Sequence, residues 1–161
     1  MDDLALQTLR HEMVDDCRIA LEAFAKAQDR FSRQDEVGYE ACAHHLSRMF
    51  NAFEQMGLRV AKAFENNIDD DQGWHAALLK RLTITIGGVR PALVPPDLKL
   101  ALNELKAFRH LVVHAYDLEF DPAKLHLVLG YAARVAEQLP ALAERFIQGV
   151  ATEQGLTGGT G

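Results

Sequence analysis

Apolar residues recur at steps of three and four along most of this chain. Leu6, Leu9, Met13, Cys17, Ala20, Phe24, Ala27 and Phe31 form the first stripe. That spacing keeps one face of a helix apolar and predicts a long amphipathic helix over residues 3–32. The polar break Ser32-Arg33-Gln34-Asp35 ends it. A second stripe follows through Tyr39, Cys42, Leu46, Met49, Phe50, Phe53, Met56, Val60 and Phe64, and Asn66-Asn67 closes that helix. Acidic residues just past a helix C-terminus oppose its macrodipole, so Asp69-Asp70-Asp71 are assigned to the start of the next element.

A short third helix is expected from about Gly73-Trp74 through Ala77, Leu78 and Leu82. Thr83 to Gly88 and the prolines Pro91, Pro95 and Pro96 predict a loop, with Leu82 to Ile86 the only stretch of strand character. Pro96 suits the first turn of a fourth helix over residues 97–115, with Leu98, Leu102, Leu105, Phe108 and Val112 facing the core. Asp121-Pro122 is an N-cap followed by a first-turn proline and opens a fifth. Its stripe is Leu125, Leu129, Ala132 or Ala133, Ala136, Leu139, Leu142 and Phe146, and Pro140 inside it is expected to bend it. Short connections make neighbours antiparallel, so the fold class is an all-α antiparallel bundle of four to five helices. The domain is placed at residues 1–150 and a flexible tail at 151–161, because the glycine-rich end has nothing to bury.

Composition changes this picture little. The chain has 161 residues, 48% apolar and 25% charged, which fits one globular domain with a sizeable core. No apolar run approaches the ~18 residues that span a bilayer, and Met1-Asp2-Asp3-Leu4 is acidic where a signal peptide is basic. The expectation is a cytoplasmic protein with no membrane contact. Cys17 and Cys42 lie on helices paired about the turn near Arg33, offset by ~15 Å along the axis, beyond the ~7 Å of a disulfide. Both are expected to be reduced core residues.

A helical bundle raises the question of a metal site. Glu-x-x-His, the ligand pair of carboxylate-bridged di-iron bundles, does not occur. Glu40 with His44, and His110 with His114, stand four apart. The second pair has the histidine spacing of a helical zinc site, but Leu111 occupies the place of the required Glu and no third ligand is evident. No metal and no cofactor are assigned. Of the paired His44-His45, about 100° apart on one helix, one is expected to be partly buried and the other solvated.

The stretch Lys106 to Asp117 is different in kind, holding Arg109, His110, His114 and Tyr116. Given 11 Arg and 7 His, an Arg followed by His after four to six residues arises by chance about 1.4 times in such a chain. Requiring Tyr two residues after that His lowers the expectation to about 0.03, so the extended pattern is informative. Arg109-x4-His114-x-Tyr116 resembles the signature of HEPN-domain ribonucleases, specifically the HepT toxins of HEPN/minimal-nucleotidyltransferase toxin–antitoxin pairs. The similarity extends upstream through Gly73-Trp74-His75, the proline loop and Leu105-x2-Phe108-Arg109-His110, and downstream to Asp121. The polar residue after the motif arginine is His110 here. The resemblance implies an all-α bundle that forms a homodimer.

Arg109 and His114 are five residues apart, about 140° round a straight helix, and cannot converge on one phosphate. Either the helix ends or bends near Val113, or two copies of the chain assemble the site about a two-fold axis. The resemblance implies the second, a composite site that a monomer lacks. The chemistry it implies is metal-independent RNA cleavage by attack of the ribose 2′-hydroxyl on the adjacent phosphate. Histidine can serve as base or acid near neutrality, and arginine's fixed fork matches phosphate oxygens. One His114 would act as base, the other or His110 as acid, with Arg109 holding the transition-state charge.

The net charge of -6 calls for segregation if RNA is the substrate. Residues 73–116 carry a balance of +4, leaving -10 elsewhere, and Lys106 and Lys99 are the candidate RNA-binding lysines beside the motif. By resemblance, Tyr116 is the residue to which a partner nucleotidyltransferase antitoxin adds AMP; such an adduct would place bulk and negative charge two residues from His114. The alternative is a non-catalytic HEPN-type helical dimer that binds a nucleotidyltransferase or nucleotide.

Overall fold

Asp2 accepts a hydrogen bond from Ala5 N at 2.7 Å and so opens α1 (Asp3–Phe31), the first of five helices among the described residues. The computed structural model describes residues 1–65, 72–115, 117 and 119–156, with the backbone alone at 72–75. The assignment of Asp69-Asp70-Asp71 falls outside the described residues. The other helices are α2 (Glu36–Phe64), α3 (Gln72–Leu82), α4 (Lys99–His114) and α5 (Pro122–Glu153). A single 3₁₀ turn, Pro96–Leu98, leads into α4, so the first residues expected to be α-helical are wound more tightly. Asp121 caps α5 by accepting from Ala123 N at 3.0 Å, and α5 continues through Pro140. Among the described residues there is no strand, only a bridge in which Ile86 N donates to Arg90 O at 2.8 Å.

The bundle is all-α. α1 packs along α2, α2 against α4, α4 against α5, and α5 back against α1. The pairs run antiparallel. Arg59 of α2 reaches Asp16 of α1, whereas Phe31 near the end of α1 meets Tyr39 near the start of α2. Arg109 of α4 meets α2 at residues 50–54, while Phe120, past the end of α4, lies beside Tyr39. The expected stripes face one continuous core, and Met13, Leu46, Met56, Leu102, Leu105, Leu125 and Leu139 are essentially inaccessible. Cys17 and Cys42 are free and buried, and removal from water pushes both thiols up to about 11. Among the described residues no helix is long and apolar enough to cross a membrane.

The end of α5 differs from expectation. The helix runs past residue 150 to Glu153, then Gly155 turns with φ +66°, and Leu156 N closes on Ala151 O at 2.8 Å. This is a Schellman closure, in which glycine supplies the left-handed residue and the next side chain covers the last turn. Leu156 therefore does have apolar surface to bury, against the core with Ala151. The tail expected from residue 151 is helix and cap up to 156.

The α1–α2 turn depends on a missing side chain. A Cβ at Gly38 would fall on the Arg30 carbonyl oxygen and 2.8 Å from Arg33 Cβ, because the last turn of α1 lies against the first turn of α2. Gly38→Ala gains helix propensity of about 1 kcal/mol but must push this turn apart. The expected outcome is a net loss of about 1–3 kcal/mol, read as a lowered denaturant midpoint at unchanged m-value.

Candidate active site

α4 ends at His114, where Ala115 N still donates to Leu111 O at 3.1 Å. The helix is therefore intact through both motif residues, and Arg109 and His114 remain about 140° apart around it. The two side chains have opposite fates. Arg109 turns inward onto α2, and His114 faces out with His110.

Arg109 is held on three sides. Nη1 donates to Glu54 Oε1 at 2.8 Å and to Asn51 Oδ1 at 3.0 Å, and Nη2 donates to Glu54 Oε2 at 3.1 Å. The guanidinium carbon sits 4.7 Å from the centre of the Phe50 ring, a cation–π stack. The side chains of Arg109 and Glu54 are only 21% and 16% exposed. Of arginine's five N–H groups these bonds use three. Among the described residues nothing engages the Nε–H and the second Nη2–H, which point the same way and form a second fork. A planar group gripped along one edge and stacked on one face is well suited to present its other edge to a phosphate.

His110 and His114 are exposed and lie one above the other, with ring centroids 4.2 Å apart. They belong to an exposed face of α4 on which Leu100, Asn103, Ala107 and Leu111 follow at steps of three and four. Leu100 and Val113 show more than half their surface. This second, partly apolar stripe is opposite the core stripe, and no described element covers it. Tyr116 lies outside the described residues.

Part of the basic balance of residues 73–116 is consumed inside the fold. Arg90, counted there as surface charge, is 1% exposed. It donates from Nη1 to the carbonyls of Ile84 and Pro91 at 3.0 and 3.2 Å, and from Nη2 to that of Arg81 at 3.3 Å. It thereby pins the proline loop, with Glu65 beside it at 3.7 Å. Arg81 also pairs with Glu65, at 2.6 Å, and Arg109 with Glu54. Glu54 of α2 and Glu65 at its C-cap, which a segmental count leaves out, offset two of the four excess positive charges. Lys99 is exposed at the start of α4, and Lys106 is half-buried with Nζ 3.4 Å from Ala76 O. Sequence reasoning missed Glu54, Asn51 and Phe50 altogether, since they read as ordinary positions of the second helix.

His44 is exposed and His45 partly buried, as the spacing required. Removal from water first, and then the charges of His44, Arg30, Arg48 and Lys26, hold His45 below the ordinary histidine range. Unfolded, this imidazole takes up a proton as pH falls through about 6.5; folded, it does so only at lower pH, so acidification across that interval favours unfolding. His45→Gln is expected to flatten the fall in melting temperature from pH 7 downward, measured by thermal denaturation at several pH values. Among the described residues no group of three or more His, Cys, Asp or Glu is placed to hold a metal ion.

Comparison with known proteins returns one result. The family model described as HepT-like protein matches residues 41–150, from the second turn of α2 to near the end of α5. No curated protein and no solved structure matches the chain. The matched span contains Phe50, Asn51, Glu54, Arg109, His110 and His114 and covers more than half of the sequence, so this chain belongs to the HepT-like family.

Proposed function

We propose that this protein is a metal-independent endoribonuclease of the toxin type, working as a homodimer in the cytoplasm and neutralised by a minimal nucleotidyltransferase antitoxin. The observation that carries the reading is the arrangement of Arg109: a guanidinium fixed by Glu54, Asn51 and Phe50 with one fork unengaged, on the same helix as two exposed imidazoles. The uncovered α4 face, with Leu100, Ala107 and Leu111 in line with His114, supports a second copy docking there. A second copy is needed in this reading because one straight helix cannot aim both its guanidinium and its imidazoles at one phosphate.

In the proposed reaction a ribose 2′-oxygen loses its proton to one imidazole and attacks the adjacent phosphorus. The bond from phosphorus to the 5′-oxygen breaks, and a second imidazole gives that oxygen a proton. Arg109 meets the charge that builds on the non-bridging oxygens. His114 and His110 supply the imidazoles, and Lys106 and Lys99 attract flanking phosphates along α4. The products are a 2′,3′-cyclic phosphate and a 5′-hydroxyl. Tyr116, two residues past His114, is the proposed site of AMP addition by the antitoxin; the adduct's negative charge would repel the RNA backbone.

The test uses purified protein in EDTA with an RNA and a DNA of the same sequence. Cleavage of the RNA alone, with cyclic phosphate ends, is expected. No cleavage, together with a stable complex with an adjacent gene's nucleotidyltransferase, would establish the non-catalytic helical module instead.

A further inference from the structure

The sequence placed His110 and His114 at i, i+4; the structure shows that the rings actually meet. Their centroids are 4.2 Å apart, both rings are exposed, and they sit on the last turn of α4. Two imidazoles one helical turn apart are a bidentate pair for a borderline transition-metal cation. With Zn–N bonds of about 2.0–2.1 Å and a tetrahedral angle, the centroids of two ligating rings lie about 5 Å apart. Opening the pair by about 1 Å needs only small side-chain rotations, and no burial opposes them.

The electrostatics at this point also favour a cation. The last carbonyls of α4 lack helical partners and carry the negative end of the helix dipole. Arg109, the nearest fixed positive charge in the sequence, is offset by Glu54 at 2.8 Å on the α2 side. By contrast, His44 and His45 are neighbours in sequence, stand edge-on at 5.4 Å, and point to different surroundings. They do not form a chelating pair. One chain offers two ligands, and the remaining positions are left to water or to the same pair on a second copy.

We infer that His110 and His114 form a site for a Zn²⁺-class cation, and that the bound ion silences the nuclease by taking the lone pairs its proton transfers require. The inhibitory half rests on the endoribonuclease reading; the binding half does not. The two roles are distinct: the proposed reaction needs no metal, and a metal at the same imidazoles is an inhibitor.

The experiment titrates ZnCl₂ into the EDTA-treated, desalted full-length protein by calorimetry, beside His110→Asn, His114→Asn and His44→Asn. Saturable binding is expected, weakened at least about tenfold by either α4 substitution, which removes one of two ligands, and changed less than about twofold by His44→Asn. Binding that survives both α4 substitutions, or no saturation by about 1 mM, a threshold corresponding to only ~4 kcal/mol, overturns the site. In parallel, RNA cleavage by the wild-type protein should fall with half-inhibition at the zinc concentration that half-saturates the site, and return on adding EDTA. Full cleavage by the zinc-loaded protein overturns the inhibitory role. Zinc binding as expected in a protein that never cleaves RNA overturns the nuclease reading and with it the inhibition, while upholding the binding site.

Discussion

RNA cleavage should fall by about 10²–10³-fold when Arg109 is replaced by Ala, the usual loss for removing one preorganised donor from a developing oxyanion. His114→Ala should cost about 10²–10⁴-fold, as expected for a general acid or base. The two substitutions differ in what they leave behind. His114 is exposed, so its loss leaves the bundle untouched. Arg109→Ala strips a half-buried Glu54 of its partner, and a loss of about 1–3 kcal/mol of stability accompanies the loss of activity. Arg109→Lys separates these effects. It keeps the charge near Glu54 but has no planar fork, so activity should stay low while the fold recovers. Single-turnover cleavage rates, read with melting curves and sedimentation, check all three. Wild-type rates in both alanine variants would remove the catalytic assignment.

Glu54 carries the second large effect. It has no route to the reacting phosphate in the proposed scheme; its carboxylate holds Arg109 along the Nη1–Nη2 edge at 2.8 and 3.1 Å. Its removal acts in two directions. The guanidinium loses a neutralising partner, which strengthens its attraction for any phosphate, and it loses its fixed orientation, which weakens its grip on the transition state. Since misplacement by about 1 Å can cost ~10²-fold, orientation dominates the rate. Glu54→Ala is therefore expected to lower kcat by about 10–10²-fold while KM for RNA stays level or falls. Glu54→Asp, with the same charge on a shorter arm, should recover part of kcat. A merely structural Glu54 would instead lower the amount of folded protein and leave kcat per folded molecule unchanged. Parallel loss of kcat and rise of KM would show that Glu54 serves binding rather than orientation.

The same contacts show how much of this molecule its residue order already reveals. The helices, their apolar stripes and the Asp121 cap follow from patterns within a few residues, and the reduced cysteines from the offset of two paired helices. The motif residues on α4 are legible for the same reason, as is their divergence around the helix, because 100° per residue is a property of any helix. The end of α5 was misread through its glycines. Gly155 is a chain-reversal residue at φ +66°, which lets Leu156 fold back, whereas composition alone suggested a loose tail.

What lay beyond the linear pattern was every contact set by the rotation and register of one helix against another. Glu54 and Arg109 are separated by 55 residues, and nothing local to either names the other. Arg90 reads as surface charge until the proline loop folds over it and Glu65 comes alongside. Local order thus dictates which segments coil and which faces are apolar, because helical hydrogen bonds and stripes span only three or four residues. Packing dictates which charges cancel, which stay available to a phosphate and which imidazoles touch, because those depend on where separate helices are brought together by burying their shared core.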